Sequence, residues 1–279
     1  MPVSTKRVIS LDMDLKYAIS LGLFWHQLTF FAHDLGHMGV THNWAIDRLV
    51  AIFVADFLGG MSIGWWVDNH NIHHLVTNHP SHDPDIQHLP FFAVSPVFLK
   101  SLWSSLARFN LYANSYGFLA KTAFQPKRFK GDVGGGGRRT WSNILVYLLL
   151  SHIAASPVHV QIVLSHFSRS TADVGPVESF AARQLRTTVD VICPPSLAFI
   201  HGGLHLQVTH HLFPRLPRHN LLEASMLVKE FAKEQGLEFA EFGFIEGNGE
   251  VRGVLKQVAD QVKIVGMVAN AEINDAMKD

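Results

Sequence analysis

An all-α fold set in a membrane is what this sequence predicts, and composition, apolar run length and histidine spacing each argue for it. Charged residues make up only 16% of the 279, against roughly 25% in soluble domains. Hydrophobic residues reach 48%, with 20 Phe and 6 Trp. One run without a formal charge, Ile144–Phe167, holds 24 residues, long enough for a helix to cross ~30 Å of hydrocarbon. Three short arrays, HDLGH at 33–37, HNIHH at 70–74 and QVTHH at 207–211, repeat the three- and four-residue spacing that aligns side chains on one helical face.

Taken in order, residues 1–14 form an N-terminal tail, with no apolar core and small-residue cleavage site to suggest a signal peptide. Leu15–Phe31 is a candidate membrane helix whose end delivers His33 and His37. Leu49–Val67 carries Asp56, Gly59, Gly60 and Gly64, so an interfacial or buried helix is expected there rather than a full span. Its Trp65-Trp66 pair suits the headgroup boundary. The string HPSHDPD at 79–85 is rich in turn formers and is expected as a loop. Phe91–Leu119, aromatic and lightly charged, is expected to lie on the membrane surface.

The basic, Gly-rich stretch 121–142 is expected as a linker. Ile144–Phe167 follows as the clearest transmembrane helix. Along it His152, His159 and His166 recur every seven residues, and His166, at its end, is the best placed to reach a metal. Val189–Leu206 is interrupted by Pro194-Pro195 and Gly202-Gly203, which argues against a regular spanning helix. The main unit is thus expected over 15–220. From 221 to 279 the chain becomes a charged, soluble helical tail, with Asn220 as N-cap and Gly236 as a C-terminal stop.

Formal charge is zero, from 23 basic and 23 acidic residues, so nothing favours a nucleic-acid partner. The single cysteine, Cys193, excludes an internal disulfide and every Cys-based zinc or iron–sulfur site. Gly134–Gly137 lacks the Lys-Ser/Thr of a phosphate loop. Converging neutral imidazoles suit Fe, Zn or Cu. The arrays carry eight ligand-type residues, about twice what one four-coordinate ion needs, so a two-metal centre fits the count. His26, His42, His79, His82, His88, His152, His201, His205 and His219 are expected to be ordinary hydrogen-bonded histidines instead.

These arrays, with LFPRLPRHN at 212–220, resemble the membrane fatty-acyl desaturase family, and Gln207 in place of a histidine resembles its front-end subgroup. The stretches WWVDNHNIHHLVTNHPSHDPDIQHLPFF and HVQIVLSHFSRSTADVGP look like fungal-type Δ8 sphingolipid desaturases. The resemblance implies a non-haem di-iron centre at the cytosolic face of the endoplasmic reticulum membrane, in a multi-pass protein. It implies ligand roles for His33, His37, His70, His73, His74, His210 and His211. Gln207 is implied as a ligand or its neighbour, and His166 as a further ligand between the second and third boxes. It also implies O2 as co-substrate and electrons from cytochrome b5 and its reductase. The substrate implied is a lipid, either the long-chain base of ceramide or an acyl chain. A front-end Δ5/Δ6 acyl desaturase is the alternative within the family. A lipid hydroxylase on a similar scaffold is more distant, and Gln207 argues against it. A non-catalytic membrane protein with a residual metal site is the alternative from another class.

The ligand set has its own physical logic. An unactivated methylene has no acidic proton, so a metal-bound oxidant has to carry the hard step. Soluble di-iron bundles use Glu ligands, and no Glu precedes Glu178 here. Two departures from the family pattern stand out. No His-Pro-Gly-Gly haem motif is present, since His79-Pro80 is followed by Ser81, so a separate electron donor is expected. For the boxes to share one membrane face, the chain must also cross an even number of times between His74 and Gln207. Only one convincing span lies there, and the expectation is that a second has been lost where the basic linker stands, by deletion or by faulty exon assignment.

Overall fold

The structure is a computed structural model that describes residues 5–86, 95 and 141–276. Apart from Ser95, the expected surface segment Phe91–Leu119 lies outside the described residues, as do His88 and nearly all of the 121–142 linker. Helix α1 spans Thr5–Gly36, so the Leu15–Phe31 stretch is its middle and the first histidine array its end. Helix α2, Trp44–Ala51, starts at Asn43, whose side chain accepts the Ala45 and Ile46 N–H groups. It runs on as a π-helical stretch, Ile52–Leu58.

Helix α3, Ile63–Leu75, then leaves at 109° to that pair. Leu49–Val67 is therefore two elements and not the single helix expected. The Gly59-Gly60 pair ends the first, and Asp56 Oδ1 accepts the Ile63 N–H at 2.6 Å to anchor the second. Ala32 and Leu35 of α1, Val54 and Ala55 of the π-helical stretch, and Ile63 and Val67 of α3 share one core. Fully burying the Leu, Val and Ile side chains among them stabilises by roughly 1.5–3 kcal/mol each.

The 24-residue apolar run is also bent. Helix α4 is Trp141–Ala155 and α5 is Pro157–Phe167, meeting at 46°. Pro157 has no N–H for the helical ladder, and Ser156 Oγ satisfies the Ile153 carbonyl at 2.8 Å. The straight span expected from composition thus becomes a broken one. No single helix among the described residues is long and apolar enough to cross a membrane. Two bent pairs, Trp44–Leu58 with Ile63–Leu75 and Ile144–Ala155 with Pro157–Phe167, meet that test together.

Helix α6, Phe180–Thr187, leads into strand β1, Asp190–Ile192. This strand pairs in parallel with β2, Glu241–Gly243, Asp190 lying opposite Glu241. The described fold is mostly helical, and this ribbon is where the all-helical expectation gives way. After β1 come turns and a short 3-10 element, Pro195–Leu197, so no regular helix occupies Val189–Leu206. Helix α7, Gln207–Leu212, carries the third array.

Helices α8, Leu221–Glu234, and α9, Phe244–Ala276, pack back onto this frame. Val228 and Ala232 of α8 join Leu185 and Val208, while Val251 of α9 meets Phe167 and Ile86. Asn220 occupies the N-cap of α8, but its side chain makes no capping bond. Gly236 ends the helix at φ +65°, with Gly236 N–H to Lys233 O at 3.2 Å and Leu237 N–H to Ala232 O at 2.8 Å. That paired bonding is a Schellman stop, which favours glycine for its left-handed backbone.

Candidate metal centre

Four elements deliver the candidate ligands. The end of α1 brings His33 and His37, α3 brings His70, His73 and His74, α5 brings His166, and α7 brings Gln207, His210 and His211. None of the nine is more than 9% exposed. The structure brings all nine together in two adjoining groups. Ligand nitrogens of His33, His37, His70 and His210 lie within 4.8 Å of one another, and so do those of His73, His166 and His211.

His74 stands between the groups. Its ring centroid is 4.7 Å from that of His37, 4.9 Å from His210 and 4.2 Å from His211. Gln207 joins the second group, its Nε2 3.1 Å from His166 Nε2. On α3, His70 belongs to the first group and His73 to the second, and the two also form a set with Asp85 whose ligand atoms lie within 4.8 Å of one another.

The polar atoms at the centre fit a bound cation. His37 Nε2, His210 Nε2, His211 Nε2 and Gln207 Oε1 are buried without a hydrogen-bond partner. An orphaned buried polar atom costs roughly 1–3 kcal/mol, and several side by side call for a shared partner. Burial first, then the neighbouring imidazoles, hold His210 and His211 well below the ordinary histidine pKa. They are therefore neutral, the form in which imidazole binds a metal. The donor set is nitrogen-rich and free of thiolate, which suits iron, zinc or copper.

A ring of further residues holds these side chains in place, and the sequence reading missed it. Both oxygens of Asp83, fully buried, meet His73 Nδ1 at 2.9 and 2.8 Å. Asp85 Oδ2 meets His70 Nδ1 at 2.7 Å. Thr77 Oγ1 and Gln184 Oε1 each lie 3.1 Å from His211 Nδ1, and Gln184 Nε2 donates to the His74 carbonyl at 2.8 Å. Asp190 Oδ1 accepts the Val208 N–H at the start of α7, at 2.8 Å, and burial lifts its pKa to about 7. The two acids in the loop after the second array were the available signal, masked by their value as turn formers. Nothing in the sequence pointed to Gln184.

Packing explains two other box residues. Trp66, expected at a headgroup boundary, instead stacks on His70 at 4.3 Å between ring centroids. Gly36 of HDLGH faces it: a Cβ there would lie 2.4 Å from Trp66 Cζ3. Asp34 is held by Arg218, 2.6 Å away.

Among the described residues, the other histidines stay outside both groups. His26 lies 2.6 Å from the Ile200 carbonyl, and His152 Nδ1 2.7 Å from the Leu148 carbonyl. His79 and His82 pair with each other near the surface, His201 pairs with Gln161, and His42 is exposed at φ +59°. His205 and His219 likewise belong to neither group.

Comparison with known proteins agrees with this geometry. Residues 15–243 match the profile described as Fatty acid desaturase. A Delta 8-(E)-sphingolipid desaturase of Emericella nidulans is 44% identical, covering 89% of this chain and 54% of that protein. A Candida albicans protein of the same description is 42% identical, covering 88% and 50%. The Delta(8)-fatty-acid desaturase 2 of Arabidopsis thaliana is 32% identical, covering 88% and 64%. This chain spans about half the length of the curated fungal relatives it matches. The Emericella alignment runs over 295 residues, more than the 279 of this chain, so that relative carries internal residues absent here. With a match over most of its length, the chain belongs to the fatty acid desaturase family.

Proposed function

We propose that this chain is an O2-dependent di-iron lipid desaturase that introduces a Δ8 double bond into the long-chain base of sphingolipids. The observation that carries the proposal is the pair of adjoining imidazole groups, four histidines and three, with His74 between them. A pair of iron ions bound there would supply the oxidising power that an unactivated methylene requires. His33, His37, His70 and His210 would hold one ion. His73, His166 and His211 would hold the other, beside Gln207.

The chain's own residues do the remainder. The near-complete burial of the nine side chains keeps bulk water from the centre, which strengthens every polar contact inside it. The carboxylates of Asp83 and Asp85 hold Nδ1 of His73 and His70, which would direct Nε2 of each ring to a metal, His70 Nε2 lying 3.2 Å from His74 Nε2. The long-chain-base substrate class is supported by the names of the fungal relatives.

The same proposal sets the protein in the endoplasmic reticulum membrane with the centre facing the cytosol. Large apolar side chains left exposed on α1, α2, the π-helical stretch and α4, among them Leu23, Phe24, Leu49, Phe53, Leu149 and Ile153, support a lipid surround. Electrons would come from cytochrome b5 and its reductase. Expression in a host that lacks the activity, followed by lipid analysis, tests the proposal. A new Δ8-unsaturated long-chain base supports it. A well-expressed chain that yields no new unsaturated base or acyl chain overturns it.

A further inference from the structure

Asp83-Pro84-Asp85 meets both imidazole groups, one carboxylate each. Asp83 Oδ1 and Oδ2 lie 2.9 and 2.8 Å from Nδ1 of His73, in the three-histidine group. Asp85 Oδ2 lies 2.7 Å from Nδ1 of His70, in the four-histidine group. The tripeptide follows α3, which carries both histidines, so helix and loop form a closed frame. Asp83 also fastens that loop internally, accepting the Asn78 N–H at 2.7 Å and the Asp85 N–H at 2.9 Å.

We infer that Asp83-Pro84-Asp85 is a double clamp that positions one ligand for each of two metal ions and so sets their separation. This rests on the di-metal reading above and adds the residues that make it a two-position site. Each carboxylate fixes its imidazole with the proton on Nδ1 and the lone pair on Nε2, and raises the basicity of the ligand. Neither imidazole can then rotate away without breaking a charge-assisted bond. The ring of Pro84, which restricts its φ to near −65°, limits how far one carboxylate can shift relative to the other. The two supports differ in strength. The Asp83 carboxylate is fully buried, whereas that of Asp85 is 34% exposed, so the His73 position depends more on its acid.

The test is iron content and iron(II) affinity of the full chain, purified in detergent, alongside Asp83→Asn and Asp85→Asn. Wild type is expected to hold two irons whose unpaired electrons couple. Asp83→Asn is expected to keep one and to lose the second, with affinity at that position falling roughly 10–100-fold. The remaining uncoupled ferric ion then shows its own paramagnetic signal after oxidation. Asp85→Asn is expected to weaken the other position by a smaller factor, and it carries the test if Asp83→Asn does not fold. Asp83→Glu, which keeps the charge, is expected to recover part of the second iron. A wild type holding two irons, with both Asn variants binding two as tightly, overturns the clamp alone. A wild type that binds no iron overturns the di-metal reading and the clamp with it.

Discussion

Asn78 donates its side-chain amide to the backbone carbonyl of His166 at 2.8 Å, joining the end of α3 to the end of α5. The same Nδ2 reaches the Thr187 carbonyl at 3.0 Å. Asn78 itself sits at φ +59°, a backbone that asparagine tolerates better than most residues. It thus ties together three elements around the second imidazole group.

Replacing Asn78 by Gly keeps the backbone conformation open and removes the amide's bonds to the His166, Thr187 and Ser170 carbonyls. The His166 carbonyl keeps the Arg169 N–H at 3.0 Å, so the loss there is that of an ordinary hydrogen bond, roughly 0.5–1.5 kcal/mol. Thermal unfolding in detergent is expected to show a lower Tm, with iron lost first from the position that His166 serves. An unchanged Tm would show that the link carries no weight.

Gly36→Ala adds a methyl group where Trp66 already lies, 2.4 Å from its ring. Overpacking of this kind costs roughly 1–3 kcal/mol, and the displaced Trp66 stacks on His70. Lower stability and weaker iron binding together are expected from unfolding curves and metal analysis of the variant.

The division of the histidines can be checked pairwise. His73→Ala is expected to abolish both iron binding at its position and product formation. His42→Asn, at an exposed position with positive φ, is expected to change neither. Equal loss in the two variants would contradict the grouping.

Glu178 predicts a pH dependence of stability. Its carboxylate takes both Nε and Nη2 of Arg186, at 2.6 and 2.8 Å, which holds its pKa below the ordinary 4.5. A depressed carboxylate pKa stabilises the fold above that ordinary value, and the benefit fades as pH falls through the lower, folded value. The Tm difference between the native chain and Glu178→Gln should therefore be constant at neutral pH and shrink below 4.5. A difference that grows on acidification would contradict it.

Sequence and structure agree where local spacing governs. The i, i+3 and i, i+4 arrays were legible because one helical turn places such residues on one face, and all nine candidates meet. The Schellman stop at Gly236 was legible for the same local reason. The supports were not, because their partners are remote: Gln184 reaches the His74 carbonyl across the sequence, and no local pattern marks it. Asp83 and Asp85 read as turn formers because their second role, holding His73 and His70, exists only once the loop folds back on α3. The bend at Ser156-Pro157 was hidden by unbroken apolarity, since composition records hydrophobic length and not the missing N–H of one proline. The β1–β2 ribbon escaped because three-residue strands are too short to show alternation.

The most direct measurement is the metal content of the full chain purified in detergent. The account predicts about two iron ions per chain, as expected for a two-metal centre, with magnetic coupling between them. A single zinc ion, or no metal at all, in a folded preparation would contradict it.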